Sequence, residues 1–463
     1  VVSEGITVPR EAALGLEEIE QTIRAQSIEL VRFETPDLNG VSRGKSVVAD
    51  HLGAYASHGL ALVSDIYCWD HECWVATGTG FGEDITFADL VLRPDLSTFC
   101  ALPHLPGEAR VICDVEYADG RAVEASPRRV LARVLERAAE LGFTARMQVE
   151  YEFYLLDPET LEPPFPGTDI TTTLTNQRLP VLRELVRHTK GLGLAPTTLN
   201  QEWGPTQYEL NFDAAIGLAA GDQAFTYKTY AKEIAGQHGL RATFMTKPFA
   251  DQSGSSSHLH LSLLDGAGRN VFADDDDADG VSDQLRAAVA GQLAHSRALN
   301  ALLGPTVNCA KRYRKGTYAP ASVTWGFENR SVAVRVKAWR AERTHVENRL
   351  GCGSSNPYLA LAGVLAASLD GIRRGLEAPD PMRTNAYRLD DLELPPGTLE
   401  ESLEAFERDE VLLEWLDPEF VKAFAALKRH EIAKARAACP EYGQDSWHRT
   451  VTDWERHQFL ALS

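Results

Sequence analysis

The run Gln148-Val149-Glu150-Tyr151-Glu152-Phe153-Tyr154-Leu155-Leu156-Asp157 decides how the rest of the chain reads. Its β-branched and aromatic content predicts a strand. Residues i and i+2 of a strand share a face, so Glu150 and Glu152 project side by side, roughly 6.5–7 Å apart at the backbone. Two carboxylates between apolar flanks repel each other and lose solvation. A pair of hard divalent cations would satisfy them, because carboxylate oxygens suit Mg2+ and Mn2+. For this run alone, a solvated edge strand of alternating charge is the plainer alternative.

Other segments repeat the pattern. Glu202-Trp203-Gly204-Pro205-Thr206-Gln207-Tyr208-Glu209 sets a second acidic pair around a Gly-Pro turn, and Glu209 to Phe212 reads as a strand. His258-Leu259-His260 puts two imidazoles on one face, and Glu347 alternates again in His345-Val346-Glu347-Asn348-Arg349. Together these carboxylates and a histidine supply two divalent sites, suited to Mg2+ or Mn2+ holding phosphates. A basic set follows. Lys311-Arg312-Tyr313-Arg314-Lys315 precedes Gly316-Thr317-Tyr318-Ala319-Pro320, and then come Asn329-Arg330-Ser331, Arg335 and Arg349. Arginines spaced along strands suit bidentate capture of carboxylate and phosphate; surface ion pairs are the alternative.

The chain has 463 residues, enough for two or three domains, and its 44% hydrophobic content is that of an ordinary globular protein. A net charge of −20 argues against nucleic acid or an anionic membrane as the main partner. No apolar run approaches the roughly 20 residues that span a bilayer. The first residues, Val1 to Gly5, lack the pattern of a signal peptide. The cysteines number 7 and include no Cys-x-x-Cys pair, so reduced, mostly packed thiols in a cytoplasmic protein are expected.

In chain order the pattern predicts a helix over Pro9–Gln26, strands over Ile28–Glu34 and Val41–Val48 around an Asp37–Gly40 turn, and a helix over Asp50–His58. Arg43-Gly44-Lys45-Ser46 imitates the end of a phosphate-binding loop, but Asn39 stands where that motif needs Gly. Helices follow over Pro127–Leu141, Pro180–Leu192, Asp222–Gly239 and Val281–Leu303, with a strand over His258–Leu264. Asp274–Asp277 reads as a solvated acidic loop, and Leu399–Glu414 as an acidic amphipathic segment. The fold class is α+β, with a first domain over 1–113 and a second over 114–463.

These residues, in order and spacing, resemble the glutamine synthetase family nearly end to end. The pieces that carry the resemblance are Asp89–Asp95, Glu150–Phe153, Glu202–Phe212, Ala242–Pro248, His258–Ser262, Lys311-Arg312 with Gly316–Pro320, Glu328–Ser331 and Asn356–Leu359. The resemblance implies an N-terminal β-grasp domain and a catalytic domain with a curved antiparallel sheet. It implies active sites shared between subunits of a ring, two hexameric rings stacking into a dodecamer, and ATP-dependent phosphorylation of glutamate before attack by an amine. By motif position, Glu152, Glu202 and Glu209 match ligands of a first metal, and Glu150, His258 and Glu347 match ligands of a second. Arg312, Arg330 and Arg349 match groups that hold glutamate or the transferring phosphoryl group. Arg335 matches a nucleotide-phosphate contact. Gly254 and Ser253 fall in the glutamate loop, Ser262 matches a nucleotide-site position, and His260 and His345 count among the substrate- or nucleotide-binding positions.

The departures from the family pattern concern ammonium. The family's flap reads Gly-Tyr-Glu-Ala-Pro, and its Glu binds and deprotonates ammonium; here Tyr318 holds that place. The aspartate expected in the N-terminal domain aligns at or near Val63, with Ser64 and Asp65 following, and Asp65 is a partial substitute. Ser253 replaces the Asn of the glutamate loop, which leaves a glutamate analogue open as the acid, and His345 replaces an Arg. Metal ligands are kept while ammonium ligands are lost. The expectation is therefore a γ-glutamyl-amide ligase using ethanolamine, a polyamine, an alkylamine or an aniline. An ammonium-using glutamine synthetase, a non-catalytic lens-type member and an unrelated binding module are the alternatives. Leu392, in Asp390-Asp391-Leu392-Glu393-Leu394-Pro395, holds the position at which some bacterial relatives are adenylylated on Tyr, and it has no hydroxyl to modify.

Overall fold

Asp37 turns the chain between its first two strands: Oδ1 accepts from the Asn39 and Val41 amides, each at 2.9 Å. The structure, a computed structural model, describes residues 15–167, 170–173, 179–315 and 317–463. The predicted start of the opening helix, from Pro9, and Gly316 of the flap lie outside the described residues. Strands β1 (Leu30–Pro36), β2 (Ser42–Val48), β3 (Leu60–Val63), β4 (Asp89–Pro94), β5 (Cys100–Ala101) and β6 (Glu108–Glu116) form one sheet in the order β2-β1-β6-β4-β3, with β5 on β6. β1 and β6 run parallel and the other pairs antiparallel, which is the grasp-like arrangement. Arg43 to Ser46 lie within β2, the edge strand paired to β1, and not in a loop that opens a helix. Helices α1 (Leu16–Gln26) and α2 (Leu52–His58) belong to this part of the chain, and β6 continues past Cys113 through Glu116.

The second sheet holds β7 (Thr144–Leu156), β8 (Pro196–Gln201), β9 (Gln207–Phe212), β10 (Ala215–Ile216), β11 (Arg241–Thr243), β12 (Ser257–Leu264), β13 (Trp325–Phe327), β14 (Val334–Lys337) and β15 (His345–Asn348). Its order is β13-β14-β15-β12-β7-β9-β8, with β10 and β11 also on β7. All pairs are antiparallel except β13 with β14. The helices are α3 (Pro127–Glu140), α4 (Val181–Gly191), α5 (Leu218–Gln237), α6 (Asp283–Ala294), α7 (Ser296–Leu303), α8 (Pro357–Arg374), α9 (Leu399–Arg408), α10 (Glu410–Trp415), α11 (Pro418–Ala438), α12 (Asp445–His448) and α13 (Asp453–Phe459).

Along β7, Ala145, Met147, Val149, Tyr151 and Phe153 are buried, while Arg146, Gln148, Glu150 and Glu152 are half-buried. The first face packs on α3, α5 and α8. The polar face is left to build a site.

One predicted helix is broken, and the acidic amphipathic segment forms two helices rather than one. The segment Val281–Leu303 splits into α6 and α7 at His295, and Leu399–Glu414 splits into α9 and α10 at Asp409. One contact explains both. The Asp409 side chain caps α10 by accepting from the Leu412 amide at 2.9 Å, and its other oxygen lies 2.6 Å from His295 Nδ1. His295 Nε2 meets Asp370 Oδ2 on α8 at 3.1 Å. Tertiary pairing, invisible to local periodicity, sets the breaks. Asp274, Asp275 and Asp276 are exposed and Asp277 is half-buried, in keeping with a solvated loop. All of the cysteines are free; Cys73 is exposed, Cys100 half-buried and the rest buried. Among the described residues no helix is long and apolar enough to cross a membrane.

α6 and α8 touch backbone to backbone at two glycines. A Cβ on Gly291 would lie 2.0 Å from the Ala367 carbonyl oxygen, and one on Gly371 would lie 2.0 Å from that of Ala287. Backbone cannot yield as a flexible side chain does. Gly291→Ala is expected to cost about 2 kcal/mol or more by overpacking, read as a lower urea midpoint at an unchanged slope.

Candidate active site

Residues directly opposite each other in a ladder share a face. The register therefore carries the polar face of β7 across the sheet. Glu150 lies opposite His258, and Gln148 opposite His260. His260 lies opposite Glu347, and Glu347 opposite Arg335. In the other direction Glu152 lies opposite Glu209, and Glu209 opposite Asn200. The predicted metal ligands thus form one row over four strands, β7, β9, β12 and β15, and the β8–β9 turn.

The row is built of close contacts. His258 Nδ1 is 2.8 Å from Glu150 Oε1 and 3.7 Å from Glu347 Oε1. Ligand atoms of Glu150, Glu209 and His258 lie within 4.8 Å of one another, as do those of Glu150, His260 and Glu347. Glu152 accepts from the Ser256 amide at 2.8 Å, and Glu202 from Asn200 Nδ2 at 2.7 Å. Glu209 accepts from Asn211 Nδ2 at 2.8 Å. The structure thus groups His260, expected to bind substrate or nucleotide, with the carboxylates, and Glu150 belongs to both triplets. Glu152 and Glu202 stand beside these triplets without entering them.

Charge is unevenly spread along the row. Burial, then the charges of Glu150, Glu202 and Glu152, push Glu209 well above the ordinary carboxylate range. Burial, then Glu152 and Glu150, push Glu202 up to about 8. Burial also works against Glu150, yet His258 and after it His260 hold it well below its usual value. Glu347 is buried too, but Arg349 foremost keeps it far below. Its oxygens meet Arg349 at 2.5 Å, Arg335 at 3.2 Å and Lys337 at 3.4 Å. One end of the row is short of positive charge and the other is rich in it.

That asymmetry fits divalent cations at the acidic end. The donors are hard oxygens and imidazole nitrogens, the set that Mg2+ and Mn2+ accept. His260 adds a second sign. Its Nε2 stands 3.5 Å from Glu150 Oε2, too far for a good hydrogen bond, and neither buried ring nitrogen has a partner.

The basic residues frame the other end. Arg312 is buried, with NH2 donating to the Arg349 carbonyl at 3.1 Å. Arg335 also pairs with Glu328. Arg330 is exposed, in the turn between β13 and β14, and its charge acts on Glu202. Gly254 is cramped: a Cβ there would sit 3.0 Å from the Thr246 carbonyl oxygen and 3.1 Å from Arg312 Cγ. The Ser253 carbonyl accepts from the Tyr154 hydroxyl at 2.7 Å. Ser262 faces Arg146 across the β7–β12 ladder. The His345 ring lies 5.2 Å from that of His260, and burial, then His260, push it down to about 3.

Val63, Ser64 and Asp65 sit elsewhere, at the end of β3 and in the turn after it. Asp65 is buried, with Oδ2 unpartnered, and Ser64 Oγ accepts from the Gly82 amide at 3.3 Å. Among the described residues, no hydrogen bond or ion pair joins them to the acidic row.

A family model for the glutamine synthetase catalytic domain matches residues 124–446. The chain belongs to the glutamine synthetase family. Enzymes of this family are ATP-dependent ligases that use divalent metals. The chain is 33% identical to a glutamate–isopropylamine ligase of Pseudomonas sp. over 95% of its own length and 96% of the relative's. It is 34% identical to a gamma-glutamylethanolamide synthetase of Streptomyces coelicolor, over 96% of each chain. Glutamine synthetases are about as similar: that of Thermotoga maritima is 32% identical over 96% of this chain and 100% of its own. A solved structure described as apo GmaS without ligand superposes with a TM-score of 0.81 at 30% identity, covering 96% of this chain and 99% of that one.

Sequence reasoning missed the amides of Asn200 and Asn211, which steady Glu202 and Glu209. Each sits two residues from its carboxylate, so the same alternation could have found them. It also missed Lys337 beside Glu347, two residues after Arg335 on one strand face. Trp203 was passed over although it follows Glu202 directly.

Proposed function

We propose that this protein is an ATP-dependent ligase joining the γ-carboxylate of glutamate to a primary organic amine such as ethanolamine, a polyamine, isopropylamine or an aniline. One observation carries the reading. The acidic row is complete, yet the flap position that holds Glu in ammonium-using relatives is Tyr318, stacked on Trp203 with ring centroids 4.5 Å apart. A γ-carboxylate oxygen bonds to the terminal phosphorus of ATP and ADP leaves. The amine nitrogen then bonds to the carbonyl carbon and phosphate leaves, while Glu202 takes the proton the amine gives up. Arg312, Arg330 and Arg349 hold glutamate and the phosphoryl group, and Arg335 holds nucleotide phosphate. Gly254 and Ser253 shape the glutamate side; Ser262 and His345 border the nucleotide. Glu150, Glu152, Glu202, Glu209, His258 and Glu347 would hold two or more Mg2+ or Mn2+ ions, which neutralise phosphate oxygens. The test is release of ADP with glutamate and each amine of a panel, with the amide product identified by mass. An ammonium-using glutamine synthetase is the second reading, favoured by the equal likeness to such enzymes. A non-catalytic role fits poorly with the complete acidic row.

Residues 1–113 and 114–463 are proposed as the grasp and catalytic domains, and a ring assembly, two hexamers forming a dodecamer, as the active form. Val63, Ser64 and Asp65 would then serve a neighbouring subunit's site. The free thiols suit the reducing cytoplasm. Light scattering alongside activity is expected to find turnover only in the oligomer; an active monomer at assay concentration would contradict the shared site.

A further inference from the structure

Trp203 and Tyr318 are large side chains left open, 42% and 56% exposed. They come from separate segments, Trp203 from the β8–β9 turn directly after Glu202 and Tyr318 from the flap. Their rings lie nearly parallel, with 13° between planes. Both are held in place. Tyr318 has a φ of 58°, a left-handed backbone that a bulky residue adopts only under constraint. The flap around it is tied at both sides: Thr317 Oγ1 donates to the Arg314 carbonyl at 2.6 Å, and Tyr387 donates to the Ala319 carbonyl at 2.9 Å. Behind Trp203, Gly204 packs so closely that a Cβ would lie 2.0 Å from the Tyr154 hydroxyl. Its amide donates to Gln207 Oε1 at 2.9 Å.

We propose that Trp203 determines amine specificity, forming with Tyr318 an aromatic wall that takes the carbon part of the amine while its nitrogen meets Glu202. This rests on the amide-ligase reading. Aromatic faces attract both an alkylammonium charge and the carbon beside it. Ammonium has no carbon to bury and gains only the first of these. Trp203 tops a turn fixed by Gly204, so the wall is set before substrate arrives, and the flap brings Tyr318 against it.

The test compares Trp203→Val with Trp203→Phe. Trp203→Val is expected to lower the ratio of kcat/KM for isopropylamine over that for ammonium by about tenfold or more, chiefly through the KM for the amine. Trp203→Phe, which keeps a ring, is expected to recover most of that ratio. A second readout needs no turnover: titration with isopropylamine in the presence of ADP and glutamate should change tryptophan fluorescence in the wild type and not in Trp203→Phe. If Trp203→Val keeps the wild-type ratio, the inference falls and the amide-ligase reading stands. If the wild type uses no organic amine, both fall.

Discussion

Glu152→Gln is expected to lower kcat by about 1,000-fold or more, some 4 kcal/mol of transition-state stabilisation. The side chain keeps its size, and an amide oxygen can still accept from the Ser256 amide, now 2.8 Å away. What goes is one negative charge opposite Glu209. Phosphoryl transfer asks the protein for position and charge neutralisation, so loss of a cation ligand strikes the chemical step itself. Without metal, the same change relieves repulsion, because the Glu152 charge helps push the carboxyl groups of Glu202 and Glu209 above their usual range. The metal-free variant should therefore melt at or above the wild-type temperature, while the rise in Tm produced by Mn2+ shrinks. Those opposite signs separate a ligand from a residue that merely supports the fold. Near-normal turnover together with an undiminished Mn2+ shift would remove Glu152 from the metal site.

The shared face of the acidic row was legible because strand alternation is a local property. Glu150, Glu152, His258, His260 and Glu347 each announce their face through neighbours two residues away. Register is not local. Nothing in the chain says that His260 pairs with Glu347 while His258 pairs with Glu150, and that offset is what places Glu150 in both close triplets. The helix breaks at His295 and Asp409 were hidden for the same reason, since each residue finds its partner across the fold. The stack of Trp203 on Tyr318 joins two loops that no periodicity links. The flap substitution itself was plain in the sequence, because there the type of residue, not its geometry, carries the meaning.

For the best organic amine, kcat/KM is expected to exceed that for ammonium by about tenfold or more, roughly 1.4 kcal/mol of preference. Ammonium is a small hydrated cation that needs anionic partners. Tyr318 supplies a phenol in place of a carboxylate, and Val63 supplies no charge. Glu202, directly before Trp203 in the chain, is proposed as the acidic group that remains for the amine. An organic amine offsets the missing charge by burying carbon, at roughly 0.8 kcal/mol per CH2, so two buried carbons suffice for the expected preference. Tyr318→Glu reverses both halves of the argument: it restores an anion and ends the stack on Trp203. The ratio should move towards ammonium, and further with Val63→Asp in the same chain. That second change should act only in the assembled ring, because Val63 lies at the end of β3 and is proposed to reach a neighbour's site. Steady-state kinetics with ammonium, ethanolamine, putrescine, isopropylamine and aniline decide the matter. A wild-type enzyme that prefers ammonium outright would be a glutamine synthetase with an altered flap, and Tyr318 would then need another role.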